Sequence, residues 1–498
     1  MAITRREQAR NSETVAPENE VRLSESCETA PSSPVGVTGL NRRAFIGVAT
    51  ASVGALAAGF GAPAILRLAS AQKGRGTVTR NRLRIPPVTS PISLSLGAAP
   101  ATVDLGGGKL SSALAYNAYG YLPGPTLLAS NGDTASITLV NGLAEPTITH
   151  WHGMVVPPEA DGHPRYAIAP GGTYDYAFTI NQRAALNWYH PHPHMLTGKQ
   201  VNLGLAGAFI VRDAVEDALG LPSGAYEVPL IIRDANLDSA GNLAYNPTSS
   251  GFFGKIALVN GTRDPYLDVN QAVYRFRVLN GSNARVFRIA LSNGTFTVIG
   301  NDGGLLPAAV QVAEIVFGPG ERLDLLVDFR GLLGTKVMLK DLASGWNLLE
   351  FNVGSGGDSR DILLPSTLST IEELSGPTEP TRKFQFEGMS RINGKRYDLN
   401  RTDFTVTKGQ IERWRFTTKG NAPHPVHVHG ASFQVQSRSG GRNRLFPWEG
   451  GWKDTVLLND RETVEVLIRF DKHRGLYLLH CHQLEHEDQG MMSNFEVI

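Results

Sequence analysis

The chain has 498 residues, too many for one ordinary domain and enough for two to four, each able to bury its own core. Lys and Arg number 47 against 46 Asp and Glu, so the formal net charge is +1. No charged block favours a nucleic acid or an anionic membrane as a partner. The 54 Gly and 29 Pro, separated by short apolar runs, predict many short strands joined by turns. We therefore expect a mostly β protein.

The N-terminal residues 1–71 have the pattern of an export leader. Residues 1–40 are polar and rich in Ser, Glu and Pro, a composition that cannot bury enough apolar surface to fold. Arg42-Arg43 then precedes an Ala/Gly-rich apolar run and Ala69-Ser70-Ala71. This order predicts a twin-arginine signal cleaved after residue 71, and hence a periplasmic or secreted protein. The alternative is a retained membrane anchor, since about 20 apolar residues can span a bilayer.

Cleavage of the leader would leave a single cysteine. Cys27 would be removed, so Cys481 would have no disulfide partner within its own chain. A lone thiol in an exported protein is either buried and inert or a metal ligand. Its surroundings in the sequence decide which interpretation to follow.

After the leader, three β-rich blocks are predicted, each with turns followed by alternating strands. The predicted ranges are 75–213, 214–353 and 383–498, with a linker at 354–382 that is rich in Gly, Ser, Pro and Thr. In the first block, Asn131-Gly132-Asp133 precedes an alternating strand at 134–140. The second block opens with a helical turn near 214 and contains no His. The third includes a predicted strand at 411–417. The same pattern of a turn followed by an alternating strand recurs in the blocks and suggests related β-sandwiches in tandem.

Eleven of the 13 histidines fall into four clusters. These are His150 and His152; His190, His192 and His194; His424, His427 and His429; and His480, His482 and His486. Only His163 and His473 lie outside, and for each we expect an ordinary hydrogen-bonded or solvated side chain.

Strand geometry sorts these histidines into two sets. Side chains two residues apart on a strand share a face, so the clusters supply four same-face pairs, or eight imidazoles. The pairs are 150/152, 190/192, 427/429 and 480/482. We call the odd or even spacing of two residues on a strand their parity. His424 is an odd number of residues from His427 and His429, so it faces the opposite side from that pair. Cys481 likewise faces the opposite side from His480 and His482. A second, smaller set therefore contains His424 and Cys481, and His486, which parity does not assign, is the further candidate for it.

Ligand chemistry favours copper for the smaller set. Two imidazoles and a thiolate near a thioether describe the trigonal copper site of blue electron-transfer proteins, with a weak axial methionine. Zinc also binds His and Cys, but it does not need the methionine. Met491 and Met492 are adjacent, and spacing alone does not decide which is axial.

These motifs resemble those of a known family. His150-Trp151-His152-Gly153, Trp188-Tyr189-His190-Pro191-His192, His424-Pro425-Val426-His427-Val428-His429-Gly430 and His480-Cys481-His482 through Met491 match, in order and spacing, the multicopper oxidases. The resemblance runs from about residue 123 to the C-terminus and is strongest to three-domain bacterial laccases related to copper-efflux oxidases. It implies an all-β chain of three tandem cupredoxin-like Greek-key β-sandwich domains.

The resemblance also implies a ligand set for four coppers. The type 1 ligands would be His424, Cys481, His486 and Met491, and the type 2 ligands His150 and His427. One type 3 copper would bind His152, His190 and His482, and the other His192, His429 and His480. His194 would stay outside the ligand set. The copper cluster would lie between the first and third blocks, with the middle block as a spacer.

The implied reaction is the one-electron oxidation of a small donor at the type 1 copper, coupled to reduction of O2 to water at the other three. Asp161 and Glu487 match acids that the family uses to deliver protons, although ordinary loop carboxylates are the alternative. Cys481 would link the two sites, since it is bonded to both His480 and His482.

The donor is less well specified. Copper-efflux members carry a Met-rich insertion, whereas the seven Met of this chain are scattered except for Met491 and Met492. We therefore expect phenols or aromatic amines, with Cu(I), Fe(II) or Mn(II) as alternative donors and a non-catalytic periplasmic copper-binding scaffold as a third reading. Phe446, Trp448 and Trp452 either line the donor surface or belong to the core. We expect a monomer that uses O2 and a small-molecule donor, without nucleic acid and, after cleavage, without a membrane.

Overall fold

A computed structural model of the chain describes residues 79–117, 119–356, 362–418 and 423–498. The predicted leader with its twin-arginine signal, Cys27, and residues 357–361 of the predicted linker lie outside the described residues. Within the described residues, no helix is long and apolar enough to cross a membrane.

Strands dominate the described part of the chain. The first set is β1 Asn81–Arg82, β2 Val88–Thr89, β3 Leu94–Asp104, β4 Leu110–Tyr116, β5 Thr126–Ser130, β6 Thr134–Asn141, β7 Thr149–His152, β8 Thr173–Thr179, β9 Ala185–Pro191 and β10 Gly207–Arg212. The second is β11 Glu227–Ala235, β12 Ile256–Val259, β13 Thr262–Arg263, β14 Pro265–Val269, β15 Val273–Asn280, β16 Phe287–Leu291, β17 Phe296–Asn301, β18 Gly304–Val312, β19 Glu314–Phe317, β20 Arg322–Asp328, β21 Lys336–Asp341 and β22 Trp346–Val353. The third is β23 Arg382–Glu387, β24 Arg391–Ile392, β25 Phe404–Val406, β26 Ile411–Thr418, β27 His424–Val428, β28 Phe433–Ser439, β29 Thr455–Leu458, β30 Thr463–Arg469, β31 Gly475–Cys481 and β32 Met492–Val497.

Among the described residues, helices are few and short. The α-helices are α1 Thr197–Asn202, α2 Ala214–Asp217 and α3 Leu484–Asp488, and the 3-10 turns are Pro158–Ala160, Pro164–Tyr166, Gly224–Tyr226 and Pro447–Glu449. The side chain of Asp213 caps α2 by accepting from the Glu216 N–H. The helical turn predicted near residue 214 is confirmed.

The first sandwich packs the sheet β4-β3-β6-β8 against the sheet β2-β5-β10-β9-β7. Side chains of β6 alternate between exposed or half-buried and buried positions, because one face of the strand meets the core. Trp151 and Phe209 fill that core from the second sheet. The strand predicted at 134–140 is confirmed, one residue longer than expected.

Two further sandwiches follow the same plan. The middle one pairs β13-β12-β11-β15-β20-β17-β18 with β1-β14-β22-β21-β16-β19, and the third pairs β24-β23-β26-β30-β28 with β25-β32-β31-β27-β29. Strands such as β11 and β15 pair in parallel, which requires the chain to cross between sheets as Greek-key connections do. The predicted all-β fold is confirmed. β1 lies within the range predicted for the first block, yet it pairs with β14 of the middle sandwich.

The outer faces of the first and middle sandwiches meet in an apolar interface. Leu186 and Ile210, on β9 and β10, pack with Ile231 and Leu279 of the middle sandwich. Beside it lies a buried cluster of charges, in which Glu216 of α2 accepts from Arg275 and Arg277. The first and middle sandwiches are therefore joined by both apolar contacts and ion pairs.

Candidate metal centres

One cysteine and two histidines form a buried site in the third sandwich, here called the thiol site: His424, Cys481 and His486. β27 and β31 are antiparallel neighbours with Val426 opposite Cys481. The Cys481 Sγ lies 3.4 Å from the His424 Nδ1 and 3.5 Å from the His486 Nδ1, and these two nitrogens are 3.2 Å apart. The two side chains that parity grouped, His424 and Cys481, do converge, and His486 joins them.

The two adjacent methionines point into different surroundings. Met491 is fully buried in the core that also contains Cys481, whereas Met492 packs with Tyr397 and Leu478. The backbone of Met491 is tied to the thiol site, because its N–H donates to the His486 carbonyl and its carbonyl accepts from the Cys481 N–H. Packing therefore puts the thioether of Met491, and not that of Met492, on the side of the thiol.

Burial controls the ionisation of the thiol site. It raises the pKa of the Cys481 thiol and lowers the pKa of His424 to about 4 and of His486 to about 3. The imidazoles are therefore neutral at pH 7, the form that binds metals, while the thiol needs a cation beside it to become a thiolate. The unused Nε2 atoms of both imidazoles are buried and have no hydrogen-bond partner among the described residues.

Eight histidines form a second site, here called the imidazole cluster, and each is at most 1% exposed. Its members are His150, His152, His190, His192, His427, His429, His480 and His482. Strand register assembles them, because β7 pairs with β9 and β27 with β31, so His150 lies opposite His190 and His427 opposite His480. The first sandwich thus contributes four imidazoles and the third contributes the other four.

Facing nitrogens in the cluster leave a gap that fits a cation. His150 donates from Nδ1 to the Asp161 carbonyl at 2.6 Å, and His427 donates from Nδ1 to the Asp454 carbonyl at 2.9 Å. In a neutral ring the other nitrogen then carries a lone pair. The two Nε2 atoms face each other at 3.4 Å, so two acceptors meet with no proton between them. A bound metal ion would resolve this contact.

The same arrangement recurs around His480. Its Nε2 lies 3.0 Å from the His429 Nε2 and 3.4 Å from the His192 Nε2. The His429 Nδ1 donates to the Asp161 Oδ2 at 2.7 Å, which again leaves a lone pair on Nε2. The nitrogens of His192, His429 and His480 all lie within 4.8 Å of one another.

The remaining imidazoles gather on the opposite side. Nitrogens of His150, His152 and His190 lie within 4.8 Å of one another. The His482 ring lies 4.8 Å from that of His152 and 5.3 Å from that of His190, between centroids. The His152 Nδ1, the His190 Nε2 and both ring nitrogens of His482 are buried and have no hydrogen-bond partner among the described residues. Trp188 stacks on His190 at 4.1 Å and closes this side.

Burial also favours the neutral form of seven imidazoles in the cluster. It lowers the pKa well below 6.5 for seven imidazoles: His150, His152, His190, His192, His429, His480 and His482. Neighbouring imidazoles lower it further, since two cations at this spacing would repel. The donors are therefore ready to bind metal at neutral pH.

The two acids singled out in the sequence, Asp161 and Glu487, are buried and lie next to the cluster. Asp161 bonds His429 through its side chain and His150 through its carbonyl. Glu487 of α3 lies with its Oε2 3.3 Å from the His480 Nδ1 and its Oε1 3.6 Å from the His192 Nε2. Burial raises the pKa of both groups well above the ordinary range. Both residues touch two imidazoles of the cluster, which an ordinary loop carboxylate would not do.

Three residues missing from the sequence interpretation also reach the cluster. Asp454 and Thr455 contact His152, and Arg322 of the middle sandwich donates to Asp454. Burial alone would raise the pKa of Asp454, but Arg322 and bonds from the imidazoles outweigh it and lower that pKa well below 3.8. In the sequence, the feature that could have identified Asp454 was the Lys453-Asp454 pair directly before a buried strand. The middle block is thus more than the predicted spacer, although it has no His.

Glycines after the His-x-His motifs make room for this packing. Gly153 has φ +88°, and a Cβ there would lie 2.5 Å from both the Arg322 Nη2 and the Asn187 Oδ1. Gly430 has φ +77°, and a Cβ would lie 2.8 Å from the Tyr477 ring. Both positions require the left-handed conformation that glycine adopts without strain.

Histidines outside the two sites have other environments. His163 is buried and its Nε2 bonds the Asn494 side chain at 2.9 Å, as expected of a hydrogen-bonded residue. His194 is exposed and its ring lies against Tyr397, 5.1 Å between centroids. His473 is half-buried.

The aromatic residues proposed for a donor surface divide between two places. Trp448 belongs to the core of the middle sandwich, and Phe446 stacks on it at 4.4 Å. For these two, the core reading is the right one. Trp452 is half-buried and lines a cavity of about 460 Å³, together with Gly153 and Asp302. A narrow pocket against His150 shares the Gly153 wall, so this cavity approaches the imidazole cluster.

Three β-sandwiches, with a thiol site one residue along a strand from an eight-imidazole cluster, define a metal-dependent redox protein of cupredoxin-like architecture. Multicopper oxidase family models match residues 98–216, 248–333 and 366–498. The multicopper oxidase mco of Staphylococcus haemolyticus (strain JCSC1435) is 36% identical over 401 residues, covering 78% of this chain and 85% of that protein. The laccase of Bacillus subtilis (strain 168) is 31% identical over 457 residues, covering 76% and 89%.

Comparison with solved structures gives the same family. The McoA multicopper oxidase of Aquifex aeolicus superposes with a TM-score of 0.79 at 37% identity, covering 84% of this chain and all of that one. The chain therefore belongs to the multicopper oxidase family, of the three-domain laccase type, and its sandwiches are cupredoxin-like. Its family membership makes it an oxidoreductase that uses O2 and copper.

Proposed function

We propose that this protein is a laccase-like multicopper oxidase that couples one-electron oxidation of phenols or aromatic amines to four-electron reduction of O2 to water. The observation that carries the proposal is the alternation of side chains at the end of β31 and in His482, the residue directly after it. Cys481 faces the thiol site, while His480 and His482 face the imidazole cluster. One strand thereby gives a short covalent connection between the two sites.

The donor sets support four coppers. The thiol site, with Met491 alongside, would hold the type 1 copper through the Nδ1 atoms of His424 and His486. The facing Nε2 atoms of His150 and His427 would hold the type 2 copper. The type 3 pair would be held by His192, His429 and His480 on one side, and by His152, His190 and His482 on the other. Zinc also binds imidazoles, but it would not need the Met491 thioether beside the thiol.

Copper at these positions would accept electrons one at a time from the donor and pass four of them to O2. The chain's own residues then have defined tasks. Asp161 orients His150 and His429, and Glu487 stands between His192 and His480, so both carboxyl groups can hand protons to oxygen at the cluster. The cavity beside Gly153 would admit O2 and release water.

The methionine content of the chain bears on the donor. Thioethers suit Cu(I), but the described residues show no Met cluster beyond Met491 and Met492. This favours organic donors over a dedicated metal oxidase. We further propose twin-arginine export of the folded protein to the periplasm or beyond, and a monomer that binds neither nucleic acid nor, after cleavage, a membrane.

Spectra and O2 uptake of the copper-loaded protein test the proposal. We expect about four coppers per chain, a strong blue thiolate-to-copper band, and O2 consumption with a phenol. Steady-state rates with Cu(I), Fe(II) and Mn(II) are the comparison, and turnover of a metal ion without turnover of phenols would replace the proposed donor class. Substitution His150→Ala should keep the blue band and stop O2 uptake. A fully loaded protein without the blue band would overturn the type 1 assignment.

A further inference from the structure

A single carboxylate touches two histidines of the cluster that come from different sandwiches. The Asp454 Oδ1 lies 3.1 Å from the His152 Nε2 and 3.5 Å from the His427 Nδ1. The two imidazole rings stack face to face, with centroids 3.7 Å apart and planes 10° apart. Asp454 therefore sits where it can set the orientation of both rings.

The middle sandwich holds Asp454 in place. Arg322 of β20 donates from Nη1 to the Asp454 Oδ1 at 2.6 Å and from Nη2 to Oδ2. The guanidinium is fully buried and also donates to the carbonyls of Leu186, Gly320 and Asp302. A bidentate pair of this kind fixes geometry as well as charge, so the carboxylate cannot rotate away.

The ion pair between Arg322 and Asp454 also indicates whether the Asp454 carboxylate binds a metal ion or supports the imidazoles. Oxygen and nitrogen atoms of His152, His427 and Asp454 lie within 4.8 Å of one another, a spacing at which a cation could bind. Both carboxylate oxygens are already engaged by Arg322, whose positive charge would repel a metal ion. The group is therefore better explained as a support for the imidazoles than as a further metal site.

Thr455 determines which ring nitrogen of His152 carries the proton. Its Oγ1 donates its only proton to the Asp454 Oδ1 at 2.8 Å. The hydroxyl must therefore accept in its contact with the His152 Nε2 at 3.0 Å. An ionised carboxylate also accepts only. The His152 Nε2 is thus the protonated nitrogen, and the lone pair lies on Nδ1.

His152 is consequently turned the opposite way from its neighbours. Its Nδ1 is buried without a hydrogen-bond partner among the described residues. His150, His427 and His429 instead donate from Nδ1 to carbonyl or carboxylate oxygens and leave Nε2 free. His190 does the same through the Pro191 carbonyl.

We infer that the Arg322–Asp454 pair, with Thr455, is a positioning device that fixes the rings of His152 and His427 and selects the tautomer of His152, and so determines which nitrogen His152 presents to the metal cluster. The inference rests on the proposed copper binding. It makes loading of the cluster depend on a residue of the middle sandwich, which supplies no ligand itself. Arg322 and Asp454 act through the imidazoles and need not touch the reacting atoms.

The substitution Asp454→Asn tests this inference. Asn keeps the shape and one accepting oxygen, but it loses the negative charge and its amide nitrogen cannot accept from Arg322, so the bidentate pair that holds the group against the imidazoles is lost. Removing such a support typically weakens metal binding 10–100-fold. We expect copper per chain to fall by one or two after dialysis against a competing chelator, with a changed type 2 paramagnetic resonance signal and an unchanged blue band.

Matched variants separate positioning from general damage. Glu449→Gln breaks a comparable buried pair with Arg438 in the third sandwich, and it should leave copper content unchanged. Thr455→Val should weaken copper binding and Thr455→Ser should restore it, which keeps the test valid if Asp454→Asn does not fold. Copper content and resonance spectrum of Asp454→Asn equal to wild type, or equal losses in Glu449→Gln, would overturn the inference. Wild type that binds no copper would instead overturn the proposed function.

Discussion

Replacing Glu216 by Gln should destabilise the junction between the first and middle sandwiches. The Glu216 carboxylate is 3% exposed and accepts from Arg275 at 2.7 Å, Arg277 at 2.8 Å and Arg212 at 2.5 Å. Burial alone would raise its pKa, but the three guanidinium groups outweigh burial and lower the pKa from 4.5 to about 2. The ionised form is therefore strongly preferred in the folded protein.

The size of the effect follows from this shift. The lowering of the pKa from 4.5 to about 2 corresponds to about 3 kcal/mol of stability above pH 4.5. Because the folded pKa is the lower one, this contribution is lost as the pH falls through about 2, and less than half of it remains at pH 3. Removing one partner of a buried ion pair typically costs about 3–5 kcal/mol, which agrees with the value of about 3 kcal/mol obtained from the pKa of Glu216.

Urea unfolding of copper-free wild type and Glu216→Gln at pH 7 and pH 3 measures the difference. We expect a loss of about 3 kcal/mol at pH 7 that narrows to roughly half at pH 3. Glu314→Gln is the matched control, since Glu314 pairs with Arg288 where both side chains are 45–49% exposed, and such pairs contribute at most about 1 kcal/mol. A loss at pH 7 no larger than that of the control, or one independent of pH, would refute the reasoning.

Three further predictions concern the metal sites. Cys481→Ser should abolish the blue band of copper-loaded protein, whereas Met492→Leu should keep it, because Met492 packs away from the thiol; visible spectra decide. Glu487→Gln should lower O2 uptake by about 10²–10⁴-fold while copper content and the blue band persist, and unchanged uptake would exclude a role in proton delivery. Gly320→Ala should weaken copper retention, because Gly320 has φ +82° and a Cβ would lie 3.1 Å from the His152 and His482 rings; retention equal to wild type would show that the rings can move aside.

Strands with one buried face were predictable from the sequence. The strands predicted at 134–140 and 411–417 each extend by one residue, and burial alternates along both. The pairing of β1 with β14 was not predictable, since a two-residue strand carries no periodic pattern. The block boundaries and linker remain predictions, although the described part of the linker contains no helix or strand before β23 begins.

Parity predicted which side chains would meet, because it depends only on strand geometry. It placed Cys481 on the opposite face from His480 and His482, and the structure separates them accordingly. Parity does not specify which nitrogen of a ring is free, nor which of two adjacent methionines turns inward. Those choices depend on partners far away in the chain, such as Arg322, which lies 132 residues from Asp454.

The middle sandwich shows why a charged strand face need not be a solvated one. In β20, Leu323, Leu325 and Val327 point into the core, so simple alternation assigns Arg322 and Asp324 to water. Both are buried instead, because the first and third sandwiches and α2 pack on that face. A buried guanidinium needs a partner, and the partners available there include Asp454 beside the imidazole cluster. The Arg322–Asp454 pair therefore both joins the middle sandwich to the third and lies against a candidate metal ligand, His152.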